Sequence, residues 1–185
     1  TEARMTFGEC PEVQYQENFD MEAFSGQWYE QERDKIFTFE FNQECVTENF
    51  MATPEGDYSF YFRGQFWQMM NTYQGIGGKI SCDNTNSSQT CDMNMATPMG
   101  NKSTTYDVID TDYENYAVYY MCKNIFGSNM RMEWLNIMSR GHSLSDEHSS
   151  KAKTAIAAQL PDFDLSEYSM HKTKQGDTCD YDFTI

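Results

Sequence analysis

The stretch from Thr111 to Cys122, Thr-Asp-Tyr-Glu-Asn-Tyr-Ala-Val-Tyr-Tyr-Met-Cys, constrains the fold more than any other part of the chain. Thr111, Asp112 and Tyr113 supply side chains that can bond backbone groups in a tight turn, and the residues after them alternate between two faces as a sheet strand requires. The same rhythm recurs along the sequence. Strands are predicted at Gln27 to Arg33, Cys45 to Ala52, Tyr58 to Arg63, Gln68 to Tyr73 with a continuation to Ile80, Thr90 to Met95, Thr104 to Ile109, Tyr116 to Cys122 and Arg131 to Ser139. Their spacing, with turns such as Pro54-Glu55-Gly56-Asp57 between them, reads as a meander of hairpins and an all-β fold. Gly75, Gly77 and Gly78 weaken the fourth strand and point to a bulge or bend there. An irregular arm precedes the first strand.

One helix interrupts the pattern. Ser145 caps Asp146 to Gln159, acids occupy its first turn and Pro161 follows its end. Ala152, Ala155, Ile156 and Leu160 form a narrow apolar stripe suited to packing on the outside of a sheet. Asp162 to Met170 is predicted as a short final strand. Neither a repeat nor a linker rich in Pro, Gly or Ser divides the 185 residues, so a single domain spanning 1–185 is expected. A domain of this size buries roughly 70% of its unfolded surface, enough for a real core.

The formal net charge of -16 argues against a nucleic acid or an anionic membrane as partner, because clustered Lys and Arg are absent. No apolar run approaches the ~18 residues that span a bilayer. The chain starts at Thr1 without a hydrophobic leader, and a secreted, extracellular form with its signal removed is the expectation. Six cysteines favour disulfides and an oxidising compartment. Cys82 and Cys91 flank a polar, turn-forming run, so a local staple across a hairpin is the economical reading. Zinc would need Cys-x-x-Cys or interleaved histidines, and neither occurs, so no metal is expected. Two sequons, at Asn86 and Asn101, fall in predicted loops and mark candidate glycosylation sites.

Two further motifs accompany the 111–122 segment in a particular order. Gly26-Gln27-Trp28 lies near the N-terminus within Phe19 to Glu30, and Ser139-Arg140 ends the last long strand. Together the three resemble the lipocalins, and the likeness runs from about Cys10 to Cys179. The resemblance implies an eight-stranded antiparallel up-and-down barrel with one flanking C-terminal α-helix. It also implies that Gly26, Trp28, Thr111, Asp112, Tyr113 and Arg140 meet at the closed end. Arg140 would then cover the Trp28 ring, a cation-π contact worth roughly 0.5 to 2 kcal/mol. Such residues form a plug rather than a site. The same resemblance implies Cys10 with Cys122 and Cys45 with Cys179, each bridge tying an end of the chain to a barrel strand.

A lipocalin barrel holds a small hydrophobic ligand, and the resemblance extends to the wall that would hold it. Matched strand by strand, Ala117, Tyr119 and Met121 point inward on one strand and Trp134, Asn136 and Met138 on another. Phe50 takes the place of a pocket tyrosine, while Tyr58, Phe60 and Phe62 share one face of the next strand. Each of these either touches ligand or fills the core. No leucine precedes Leu135, whereas the chain has 13 Met, 13 Phe and 12 Tyr. Rings and unbranched methionine adapt to flat or irregular ligands, so a roomy cavity is expected, with compositional drift of the source as the alternative. Glu48 shares parity with Phe50. It either faces the cavity, where it would seek a donor or take up a proton, or stands in water at the rim.

The family's cargo includes bile pigments, carotenoids, retinoids, steroids and fatty acids. The aromatic content favours an extended chromophore, a bilin such as biliverdin or a carotenoid, as the bound ligand. The alternative from another class is a closed barrel acting as a protein-interaction module, with self-association into a homo-oligomer left open. His142, His148 and His171 fall in a loop, a helical turn and a tail, where they assemble no catalytic group, and no enzyme is expected.

Overall fold

The structure is a computed structural model that describes residues 4–35, 43–66, 72–82, 90–97, 100–127 and 129–182. In chain order its elements are β1 (Arg4–Phe7), α1 (Met21–Phe24), β2 (Gly26–Asp34), β3 (Gln43–Ala52), β4 (Tyr58–Phe66), β5 (Thr72–Cys82) and β6 (Cys91–Thr97). They continue with β7 (Gly100–Thr111), β8 (Tyr116–Ile125), β9 (Met130–Ser139), α2 (Asp146–Gln159) and β10 (Met170–Lys172). From β2 to β9 each strand pairs antiparallel with the next, and β9 returns to β2, which closes an eight-stranded barrel. Closure removes the exposed edges that an open sheet would present. β1 lies beside β9 and β10 beside β2.

Two hydrophobic layers follow from the period-2 alternation of the strands. The inward layer includes Trp28, Phe50, Phe60, Ile80, Met93, Tyr106, Tyr119 and Met138. The outward layer, Val118, Tyr120, Leu135 and Ile137, lies under Ala152 and Ile156 of α2 and Leu160 at its C-cap. Ser145 accepts the His148 N–H at the start of α2, and the helix keeps its predicted bounds.

Several elements depart from the sequence reading. The N-terminal arm is not wholly irregular, since it carries β1 and the single turn α1, capped by Asp20. The fourth barrel strand is Thr72–Cys82, so its supposed continuation is its body, and 68–71 lie outside the described residues. Its glycines mark no bulge, because β4 and β5 stay in unbroken register from Tyr58↔Ile80 to Phe66↔Thr72. They permit close approach instead. A Cβ on Gly75 would stand 2.5 Å from the Tyr61 ring, and one on Gly78 would stand 1.9 Å from the Asn94 carbonyl oxygen. The expected strand at 162–170 is displaced to Met170–Lys172, with turns before it.

β10 occupies a place that β3 gives up. Pairing of β2 with β3 stops at Tyr29↔Thr47, and a bulge between Glu44 and Thr47, with Cys45 at φ 55°, turns β3 away. The C-terminal segment fills the gap. Met170 to Lys172 pair with Asp34 to Glu32, Cys45 N–H donates to the Lys174 carbonyl at 2.8 Å, and the Gln175 amide donates to the carbonyls of Glu30 and Val46.

Candidate functional site

Thr111, Asp112 and Tyr113 build the tight turn between β7 and β8. Asp112 Oδ1 accepts the N–H groups of Glu114, Asn115 and Tyr116, and Thr111 Oγ1 accepts that of Tyr113 while donating to the Tyr116 carbonyl. Burial alone would raise the Asp112 pKa, but the hydrogen bonds from Asn115, Tyr116 and Glu114 hold it below the usual carboxylate range. Tyr113 has φ 65°, and its carbonyl accepts Arg140 Nε at 3.0 Å. The same guanidinium donates to the carbonyls of Gln27, Ala23 and Phe24 and lies 3.8 Å from the Trp28 ring centroid. Gly26 has φ 100°, and a Cβ there would meet Arg140 Nη1 at 3.2 Å. All six motif residues therefore meet at one end of the barrel.

Above this plug the interior is aromatic. Tyr106 packs against Phe24, Phe50, Phe62 and Tyr119, with centroids 4.4 Å from Tyr119 and 5.3 Å from Phe50. Of the ten proposed wall residues, Phe50, Phe60, Ala117, Tyr119, Asn136 and Met138 are fully buried, Met121 nearly so, and Tyr58, Phe62 and Trp134 partly. Phe62, Met121 and Trp134 lie on the half away from the plug, with the partly buried Met95 across the barrel. The half nearer the plug is filled by its own side chains, so the sequence-based expectation of a roomy cavity does not extend to it.

One wall of this interior is polar. Glu48 is wholly buried, which removes the reading that it stands in water at a rim. The Tyr106 hydroxyl donates to its Oε2 at 2.7 Å. Burial pushes its pKa up to about 8, with the negative Glu30 acting in the same sense and the Tyr106 and Tyr119 hydroxyls opposing. Glu30 is also fully buried and is satisfied by Arg33 at 2.5 Å, by Asn136 Nδ2 at 2.8 Å and by Thr173. Arg33 continues to the Gln43 carbonyl at 2.8 Å. Sequence reasoning missed Tyr106, Glu30 and Arg33. Parity along Thr104–Ile109 could have found Tyr106, whereas the register shift between Glu30 and Glu32 hides the other two.

Three disulfides join Cys10 to Cys122, Cys45 to Cys179 and Cys82 to Cys91. The last faces inward, where Cys82 approaches Met21. Asn86 lies outside the described residues, and Asn101 is exposed on β7 rather than in a loop, paired with Ala96. The histidines are dispersed, with His142 stacking on Tyr181, His148 in the first turn of α2 and His171 on Glu44 at 3.0 Å. Two surface hollows, of about 190 and 420 Å³, lie outside the barrel and include none of the ten wall residues. No helix among the described residues is long and apolar enough to cross a membrane.

Comparison with known proteins agrees with this geometry. The chain is 28% identical to apolipoprotein D of Cavia porcellus over 158 residues, 85% of this chain and 80% of that one. Its fold is similar to that of insecticyanin from Manduca sexta, with a TM-score of 0.83, 17% identity and coverage of 96% and 92%. Apocrustacyanin C1 gives a TM-score of 0.74 at 18% identity, covering 96% of this chain and 94% of that one. The family model described as lipocalin / cytosolic fatty-acid binding protein matches residues 25–174. The chain belongs to the lipocalin family.

Proposed function

We propose that the protein is a secreted carrier or store whose barrel interior holds a small hydrophobic chromophore, a bilin such as biliverdin or a carotenoid. The observation that carries this reading is the aromatic and methionine wall formed by Phe62, Met95, Met121 and Trp134 above a packed floor. Apolar burial supplies most of the affinity in such sites, and flat rings suit a conjugated ligand. Three disulfides and kinship with apolipoprotein D support an oxidising, extracellular setting, in which Asn86 and Asn101 are available for glycosylation. Fatty acid, steroid or retinoid is the alternative cargo.

Extraction of native protein with organic solvent, followed by mass spectrometry, tests the carrier reading and should release a stoichiometric apolar compound. Visible absorption shifted from that of the free pigment is the expected signature. A colourless preparation containing only fatty acid would refute the pigment but not the carrier. The ring-filled lower half of the barrel favours a second reading, a closed barrel that binds protein partners through its loops. Extraction that releases nothing would support it.

A further inference from the structure

Resting on the carrier reading, we infer that β1 is part of the ligand site, that Met5 and Phe7 carry the inner wall beyond Trp134, and that the cargo is an elongated apolar molecule whose outer end lies on them. β8 pairs with one edge of β9 along its whole length. The other edge is shared, with β2 on residues 136–139 and β1 on residues 130–133. β1 therefore takes over the wall where β2 leaves it. Register fixes the face it turns inward, because residues directly opposite in an antiparallel pair share a face, as do residues two apart along a strand. Trp134 packs on the inner cluster, which puts Met132 and Met130 on the same side of β9. Met5 is opposite Met132 and Phe7 is opposite Met130, while Lys123 and Ile125 of β8 complete the two rows. Arg131, opposite Thr6, points the other way, to Glu133 and through it to Tyr120 of the outer layer.

Phe7 is 82% exposed and Met5 53%, so neither adds much to the core, and contiguous exposed apolar surface marks a place of binding. Its continuity with Trp134 and Met121 indicates what binds there. The half of the barrel nearer the plug is filled by rings such as Phe50, Tyr106 and Tyr119, so a ligand sits high and projects past Trp134. The two rows reach roughly 13 Å beyond that residue along β9, at about 3.3 Å per residue. Lys123 interrupts them only at its tip, since its methylene stem lies along apolar surface while the ammonium stays in water. A compact ligand would leave both rows bare, whereas a long acyl chain or polyene covers them. Of the two chromophores, this favours the carotenoid.

Displacement of cis-parinarate from the full-length, solvent-stripped protein by saturated fatty acids from octanoate to stearate tests the assignment, because the head group is constant and only length varies. Affinity for the wild-type protein should rise with every added pair of carbons. In Phe7→Ser and Met5→Ser the rise should stop earlier, leaving stearate roughly tenfold weaker than in the wild type and octanoate within about twofold. Both positions are exposed, so serine leaves the fold intact. Phe126, 75% exposed in the turn after β8, belongs to neither row, and Phe126→Ser should follow the wild type. Equal losses for octanoate and stearate, or none for either, would overturn the inference and leave the carrier reading standing. So would a wild-type dimer in sedimentation that Phe7→Ser dissociates, since a second copy would then own the surface. Binding of none of the acids overturns the inference, and the carrier reading falls with it only if extraction of native protein also releases nothing.

Discussion

Glu48 makes the interior sensitive to pH. Its pKa of about 8 means that the folded state keeps the proton between about pH 4.5 and 8, while the unfolded chain loses it. The folded state then binds more protons, and stability falls as pH rises across that window. Below it both states are protonated and the effect vanishes. Glu48→Gln is therefore expected to stabilise the ligand-free protein at pH 8 by on the order of 4 kcal/mol and to have no effect near pH 4. Denaturant unfolding at both pH values measures it, and a pH-independent difference would contradict the assignment. Arg140 behaves oppositely. Its replacement by Ala removes the ring contact and the guanidinium's hydrogen bonds to four carbonyls, of which that of Phe24 keeps Trp28 Nε1 as a donor, for a loss of roughly 3 kcal/mol or more. Gly26→Ala should lose roughly 1 kcal/mol or more for its positive φ alone, as thermal unfolding would show. Both positions were legible because they belong to the motifs that carry the family resemblance, although Arg140 and Gln27 are 113 residues apart. The partnership of Glu48 with Tyr106 was not, since no motif joins them across 58 residues.

Among the elements, β5 shows why glycine can strengthen rather than weaken a strand. Gly75 lies under the Tyr61 ring, so Gly75→Ala must push that ring or the β4 backbone aside, and loss of thermal stability is the expected result. The strand was only half legible. Alternation announces a strand, but a run with glycines at three of four positions carries too little pattern to set its start. The helix was fully legible, because cap, acidic first turn and following proline are all local signals. The disulfides differ in reach. Cys45–Cys179 spans 134 residues and Cys82–Cys91 spans 9. Chain-entropy arguments give about 3 kcal/mol for a 15-residue loop and about 4.7 for 100 residues, so the Cys45→Ala/Cys179→Ala pair should destabilise more than Cys82→Ala/Cys91→Ala. Equal losses in denaturant unfolding would contradict that order.

For the molecule as a whole, alternation indicated a meander of hairpins, and its closure into an eight-stranded barrel was implied by the resemblance that the three motifs carry and is made by the pairing of β9 with β2. The extent of its filling was not legible. Whether a ring such as Tyr106 occupies the lumen or the wall depends on packing across the barrel, to which sequence parity is blind. A bound ligand adds stability by mass action, about 2.7 kcal/mol at a hundredfold excess over its Kd. Stripping native protein should accordingly lower its Tm, and returning the extracted compound should restore it.

The C-terminal segment has a consequence for how such a barrel is made. Between β2 and β3 the wall is laced by residues 170–175, which hydrogen-bond to both strands, and the Cys45–Cys179 bridge secures them. Because those residues follow all eight staves in the chain, this part of the wall is the last to be synthesised, and the bridge fastens it to β3, the second stave of the meander it completes.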